Sequence, residues 1–238
     1  MSPVPRDNVI VALDTADATQ ALALARTLHG HARWVKVGMT LYYAEGPGVV
    51  GELRDLGFEV FVDLKLHDIP HQVAGAAAVL ARLGAGMLTV HASGGRAVVS
   101  AAVDAARASA EEVGLAYPAV LAVTVLTSID TDALRALGVA ASPKEQVERL
   151  ATVAIESGAD GVVCSPLEAS AVRELLGPNA LVVTPGVRPA WSDHGDQARV
   201  ASPAEAFAWG ASHVVVGRPV TGAADPAAAF ERLVAEEA

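Results

Sequence analysis

Apolar residues along the chain fall into eight runs of about five, each followed by a longer segment with helical character. The runs lie near 9–13, 34–38, 58–62, 87–91, 119–124, 161–164, 181–184 and 213–216. Being short, apolar and rich in β-branched residues, they predict buried strands. Helices are expected to begin at Asp17, Thr40, Ile69, Gly94, Ser142, Pro166, Pro203 and Pro226. Eight alternating units in this length predict an α/β fold, a closed (β/α)8 TIM barrel. A doubly wound open sheet is the alternative, but no Gly-x-Gly-x-x-Gly turn follows the first run. With no break in composition and no linker, residues 1–238 read as a single catalytic domain.

A barrel gathers its functional residues where the strands run out at their carboxyl ends. Those positions carry Asp14, Lys36, Asp63 with Lys65, His91, Thr127 with Ser128, Ser165, Arg188, and Gly217 with Arg218. The opposite turns are rich in Gly and small residues, as in Leu83-Gly84-Ala85-Gly86 and Trp209-Gly210. A site on one side only would leave this asymmetry.

The densest grouping is Val60-Phe-Val-Asp63-Leu-Lys65-Leu-His-Asp68-Ile-Pro70. Alternation along a strand would point Asp63 and Lys65 to the same face. Asp68 follows in the turn, and Pro70 suits the first position of a helix. An ordinary ion pair at a strand end would account for Asp-x-Lys alone. The chain, however, holds fourteen Arg and only three Lys, at 36, 65 and 144. Arg serves an ion pair at least as well as Lys but does not readily release a proton. Two of the three Lys fall at predicted strand ends, which points to lysine chemistry there.

Composition narrows the partners. Hydrophobic residues make up 52% of the chain, enough for a sizeable core, and the formal net charge is −10. With no basic cluster, no nucleic-acid partner is expected, and an anionic substrate needs a local cationic pocket. The single cysteine, Cys164, sits in an apolar run and excludes a disulfide framework or a Cys-rich metal site. No secretory leader or membrane span is read from the sequence, so no membrane partner and a cytoplasmic location are expected.

Two late segments suit an anion. Thr184-Pro-Gly186-Val-Arg188-Pro and Val216-Gly217-Arg218-Pro follow the last two strands, where barrels often hold phosphate on backbone N–H groups. A long polar connection, residues 185–202, lies between them and reads as a lid, with Gln197 able to reach a phosphate oxygen or a ring carbonyl. His91 lacks a second histidine at ligand spacing and reads as a packed or supporting residue. The Ser165 region has no Gly-x-Ser-x-Gly elbow.

Taken together, Asp63-x-Lys65-x-x-Asp68-Ile-Pro, Asp14, Lys36, Val90-His-Ala-Ser-Gly-Gly and the two late Gly/Arg loops closely resemble the orotidine 5′-phosphate decarboxylase family. The resemblance implies conversion of orotidine 5′-monophosphate (OMP) to UMP, with neither metal nor cofactor. It implies that Lys65 protonates C6, that Asp63 lies beside the substrate carboxylate, and that Lys36 bridges Asp63 and the ribose. Asp14 would bind a ribose hydroxyl, Thr127 would contact the substrate, and Ser128 beside it is a candidate for the pyrimidine amide. Arg188, Gln197, Gly217 and Arg218 would serve the phosphate. Asp68 would reach the neighbouring subunit's site in a homodimer, with Ile69 and Gln72 beside it as substrate contacts. Gln72 departs from the threonine common in this family. Two other readings stay open: a metal-dependent sugar-phosphate decarboxylase or aldolase, which would need a further carboxylate such as Glu45, and a non-catalytic nucleotide-binding barrel.

Overall fold

The computed structural model describes residues 4–189, 191 and 201–236. Its first half runs β1 (Val9–Ala12), α1 (Ala18–Leu28), β2 (Trp34–Gly38), α2 (Met39–Glu45), α3 (Gly48–Asp55), β3 (Glu59–Leu66), α4 (Pro70–Arg82), β4 (Met87–His91) and α5 (Arg96–Glu112). The second half runs β5 (Ala119–Val123), α6 (Thr131–Ala136), α7 (Pro143–Glu156), β6 (Gly161–Val163), α8 (Ala169–Leu176) and β7 (Leu181–Pro185). It continues through α9 (Pro203–Ala208), β8 (His213–Val216), α10 (Arg218–Thr221) and α11 (Pro226–Val234). The eight strands pair in sequence order, and β8 closes on β1 through Val9↔Val214, Ile10↔Val215 and Val11↔Val216. All pairings are parallel, giving the closed (β/α)8 barrel that the pattern predicts.

Strand alternation divides the apolar residues between two layers. Val9 and Val11 of β1, Val35 and Val37 of β2, and Val60 and Val62 of β3 join the large core under the helices. Ile10, Trp34, Phe61, Met87, Leu121 and Val215 fill the barrel interior. Both faces of each strand are covered, which is why these runs are apolar at consecutive positions. The same alternation puts Lys36 in phase with Trp34 and Asp63 in phase with Phe61, so charges enter the interior above an apolar floor.

Helix starts are written in the sequence by proline and a capping side chain. Ser142 caps α7 and Ser202 caps α9, each with a reciprocal glutamate three residues on and Pro at the first helical position. At the far end, Gly84 (φ +76°) and Gly210 (φ +101°) occupy the left-handed conformation that turns the chain back toward a strand. Three features differ from expectation. The second helical segment breaks at Gly46 and Pro47 into α2 and α3; α6 forms inside the connection after β5; and β3 continues to Leu66, through the charged residues. No helix among the described residues is long and apolar enough to cross a membrane.

Candidate active site

The site is built on an irregularity of β3. Its register with β4 shifts between Val62 and Leu66, and within that bulge Lys65 has φ +52°. It is the one positive-φ residue other than glycine among the described residues. Simple alternation is therefore not how Lys65 comes to face Asp63. The bulge turns it inward, and its amine donates to Asp63 Oδ1 and Oδ2, both at 2.8 Å. Lys36, reaching in from β2, donates to Asp14 Oδ1 at 3.0 Å and lies 3.7 Å from Asp63 Oδ2. Asp14, Lys36, Asp63 and Lys65 thus form a row of alternating charge. The side chains of Lys36 and Asp63 are 11% and 12% exposed, so each ion depends on its neighbours in place of water. Gly38 keeps the row open, since a methyl group there would meet Lys36 Nζ at 2.9 Å.

Lys36, Asp63 and Lys65 of this row line a 230 Å³ cavity at the carboxyl ends of the strands. Thr127 and Ser128 line it too, and Phe61, Val125, Leu126 and Pro185 supply apolar wall. Roomier clefts of 560 and 490 Å³ exist elsewhere, one lined from α7 and α8 and one at the amino ends of the strands. The smaller cavity is the candidate because the paired lysines and carboxylates converge there. A methyl group at Gly217 would lie 3.8 Å from Asp14 Oδ2, so the turn after β8 adjoins the acidic end of the row. Arg218 begins α10 at that turn. Arg188 is buried, and its backbone N–H donates to Ala201 O at 2.8 Å, tying together the two ends of the connection after β7. Gln197 lies outside the described residues.

Asp68, Ile69 and Gln72 do not join the row. They are exposed, Asp68 and Ile69 in the turn from β3 to α4 and Gln72 in the first turn of α4, and Asp68 Oδ1 accepts from the Ile69 N–H at 2.6 Å. Asp68 makes no ion pair among the described residues. The His91 ring is half-buried and stacks against His67 at 5.0 Å. Burial lowers its pKa, with His67 and Lys65 adding to the effect, which disfavours a second cation beside the lysine. Burial pushes the Cys164 thiol up, so this lining residue is an inert neutral group. Ser165 and Glu168 cap a short helical turn reciprocally. Glu45 accepts the Ala18 N–H at 3.0 Å, at the start of α1. No group of three or more His, Cys, Asp or Glu side chains among the described residues converges as a metal site.

The sequence model of the orotidine 5′-phosphate decarboxylase / HUMPS family matches residues 7–233. The chain belongs to this family. Orotidine 5′-phosphate decarboxylase of Paramagnetospirillum magneticum is 53% identical over 228 residues, covering 96% of this chain and 97% of that protein. The Moorella thermoacetica protein of the same name is 50% identical, covering 97% and 92%. The crystal structure of orotidine 5′-phosphate decarboxylase from Lactobacillus acidophilus superposes with a TM-score of 0.85 at 43% identity, covering 96% of this chain and 97% of that one. With relatives so named matching almost end to end, the chain is an enzyme of the decarboxylase type within the family.

Sequence reading missed one residue of this candidate site. Thr89 of β4 is fully buried, accepts the Lys65 N–H at 2.8 Å and donates to Asp63 Oδ1 at 3.0 Å. The available signal was a hydroxyl set inside the apolar run Met87-Leu-Thr89-Val-His91, at a position in phase with the barrel interior.

Proposed function

We propose that this chain decarboxylates orotidine 5′-monophosphate to UMP and CO2, completing pyrimidine nucleotide synthesis, as one catalytic domain acting without metal or organic cofactor. The observation that carries this reading is the Lys65 amine held against both oxygens of Asp63 at 2.8 Å, inside a cavity at the barrel mouth. Breaking the C6–carboxyl bond leaves its electron pair in an sp² orbital that the pyrimidine π-system does not delocalise. Catalysis then rests on a fixed positive charge at C6 and a proton delivered there. Lys65 serves both needs: its ammonium faces the developing carbanion, one N–H bond breaks as the new C6–H bond forms, and solvent later restores the proton. An attraction between such a pair is on the order of 5 kcal/mol before desolvation, at an effective dielectric of ~20. Asp63 and Lys36 keep the amine oriented before substrate arrives, so little reorganisation is left for the reaction itself.

Asp63 also meets the substrate carboxylate in this reading, and their repulsion ends as CO2 departs. Asp14 and Lys36 take the ribose, Thr127 and Ser128 the ring, and Arg188, Gln197, Gly217 and Arg218 the phosphate. Ile69 and Gln72 contact substrate from the start of α4. The exposed Asp68, without a cationic partner among the described residues, fits a carboxylate that completes a second subunit's site in a cytoplasmic homodimer. Glu45, the carboxylate the metal-dependent alternative would draw on, accepts the Ala18 N–H at the start of α1.

The test is direct. Purified protein in excess chelator is expected to convert orotidine 5′-monophosphate to UMP, followed by the loss of substrate absorbance and by product chromatography. No turnover by folded protein would refute the assignment, and turnover abolished by chelator would restore the metal-dependent reading.

A further inference from the structure

We infer that Thr89 is a positioning residue, whose hydroxyl holds the Lys65 backbone in its left-handed conformation and sets the angle of the Asp63 carboxylate. The inference rests on the proposed roles of Lys65 and Asp63. It begins with a cost: φ +52° is unfavourable for a residue bearing a Cβ, and such a conformation persists only where its surroundings over-determine it. The register shift between Val62 and Leu66 takes this part of β3 out of regular pairing with β4. A backbone N–H turned into a protein interior must find another acceptor.

Thr89 Oγ1 is that acceptor, at 2.8 Å from Lys65 N. Its own proton is thereby directed elsewhere, and it donates to Asp63 Oδ1 at 3.0 Å. The same oxygen also receives the Lys65 amine at 2.8 Å. The three groups close a ring: Lys65 backbone to Thr89 hydroxyl, hydroxyl to Asp63 carboxylate, carboxylate to Lys65 amine. Bulge and acid–base pair are fixed by one atom. Thr89 is 0% exposed, so bulk water cannot stand in for it. Its γ-methyl and stiff β-branched χ1 hold the hydroxyl in place.

Thr89→Val keeps the shape and deletes the hydroxyl, leaving the Lys65 N–H and one Asp63 lone pair unmet. Thr89→Ser keeps the hydroxyl. Steady-state kinetics on orotidine 5′-monophosphate and crystal structures of both variants and the wild type test the inference. Thr89→Val is expected to lower kcat by about 10- to 100-fold, the worth of a hydrogen bond to a charged group, with KM within about twofold because the phosphate grip is untouched. Thr89→Ser is expected to recover kcat to within about threefold of wild type. In the Thr89→Val structure, Lys65 should leave the left-handed region or lose one of its two contacts to Asp63. Wild-type kcat in Thr89→Val, or serine performing no better than valine, would overturn the inference. If the wild type itself fails to turn over, the functional reading falls, and the structures alone decide. An unchanged Lys65 φ with both contacts kept in Thr89→Val would then overturn it. Should Thr89→Val not fold, Thr89→Ala is read the same way, and failure of both beside a folded Thr89→Ser would make Thr89 a structural residue only.

Discussion

Lysine is the scarce cation in this chain, and two of its three positions, Lys36 and Lys65, line the candidate site. Lys65 donates to both oxygens of one carboxylate, a geometry a guanidinium also adopts, so charge pairing alone does not explain the choice. The proposed mechanism explains it by a group that gives up a proton. Lys65→Arg is therefore expected to keep the fold and lower turnover by at least about 100-fold, the lower range for general acid catalysis, and Lys65→Ala to lose more. Turnover assays paired with thermal unfolding check this, and an arginine variant within tenfold of wild type would remove the proton-donor role. The pair was legible in the sequence because Asp63 and Lys65 end an apolar run where charges need each other. The φ of Lys65 was not, because a bulge depends on how β4 pairs and leaves no mark in the local pattern. Thr89 escaped for a related reason: a threonine in a strand reads first as β-propensity.

At the scale of elements, strands were read to within a few residues because a parallel barrel demands consecutive apolar positions. The exception is β3, whose charges look like a strand end and instead lie inside the strand, facing the cavity. Helix starts at Asp17, Ile69, Ser142, Pro203 and Pro226 were legible from their caps and prolines, whereas six-residue α6 has too few turns for a periodic signal. The floor of the barrel offers a separate test. His213 opens β8 inside the barrel, edge-on to Trp34, and burial lowers its pKa to about 4 from the usual 6.5. The unfolded chain takes up this proton first, so the contribution is complete above pH 6.5 and is lost as pH falls toward 4, by up to about 3 kcal/mol. Denaturant unfolding at pH 7 and pH 4.5 should show His213→Gln less acid-sensitive than wild type. Equal acid sensitivity in both would mean that His213 does not stay neutral in the fold.

For the whole molecule, a chain of net charge −10 repels an anionic nucleotide until it meets the lysines and arginines at one end of the barrel. Around that end Asp68 is exposed without an ion pair among the described residues, and Ile69 and Tyr43 are 62% and 73% exposed. A second subunit placing its barrel mouth there would bring Asp68 to the neighbour's site. Mixing Asp68→Ala with Lys65→Ala subunits should then restore activity, since one site of each hybrid dimer has both residues intact. No recovery after demonstrated subunit exchange would leave each site confined to one chain.

The central claim is that a primary amine on a bulged strand meets the pyrimidine carbon that loses its carboxyl group. A crystal structure with UMP bound tests it most directly. Lys65 Nζ is expected about 3–3.5 Å from C6, still in contact with Asp63. An amine turned to solvent, or separated from C6 by the rest of the ring, would contradict the account.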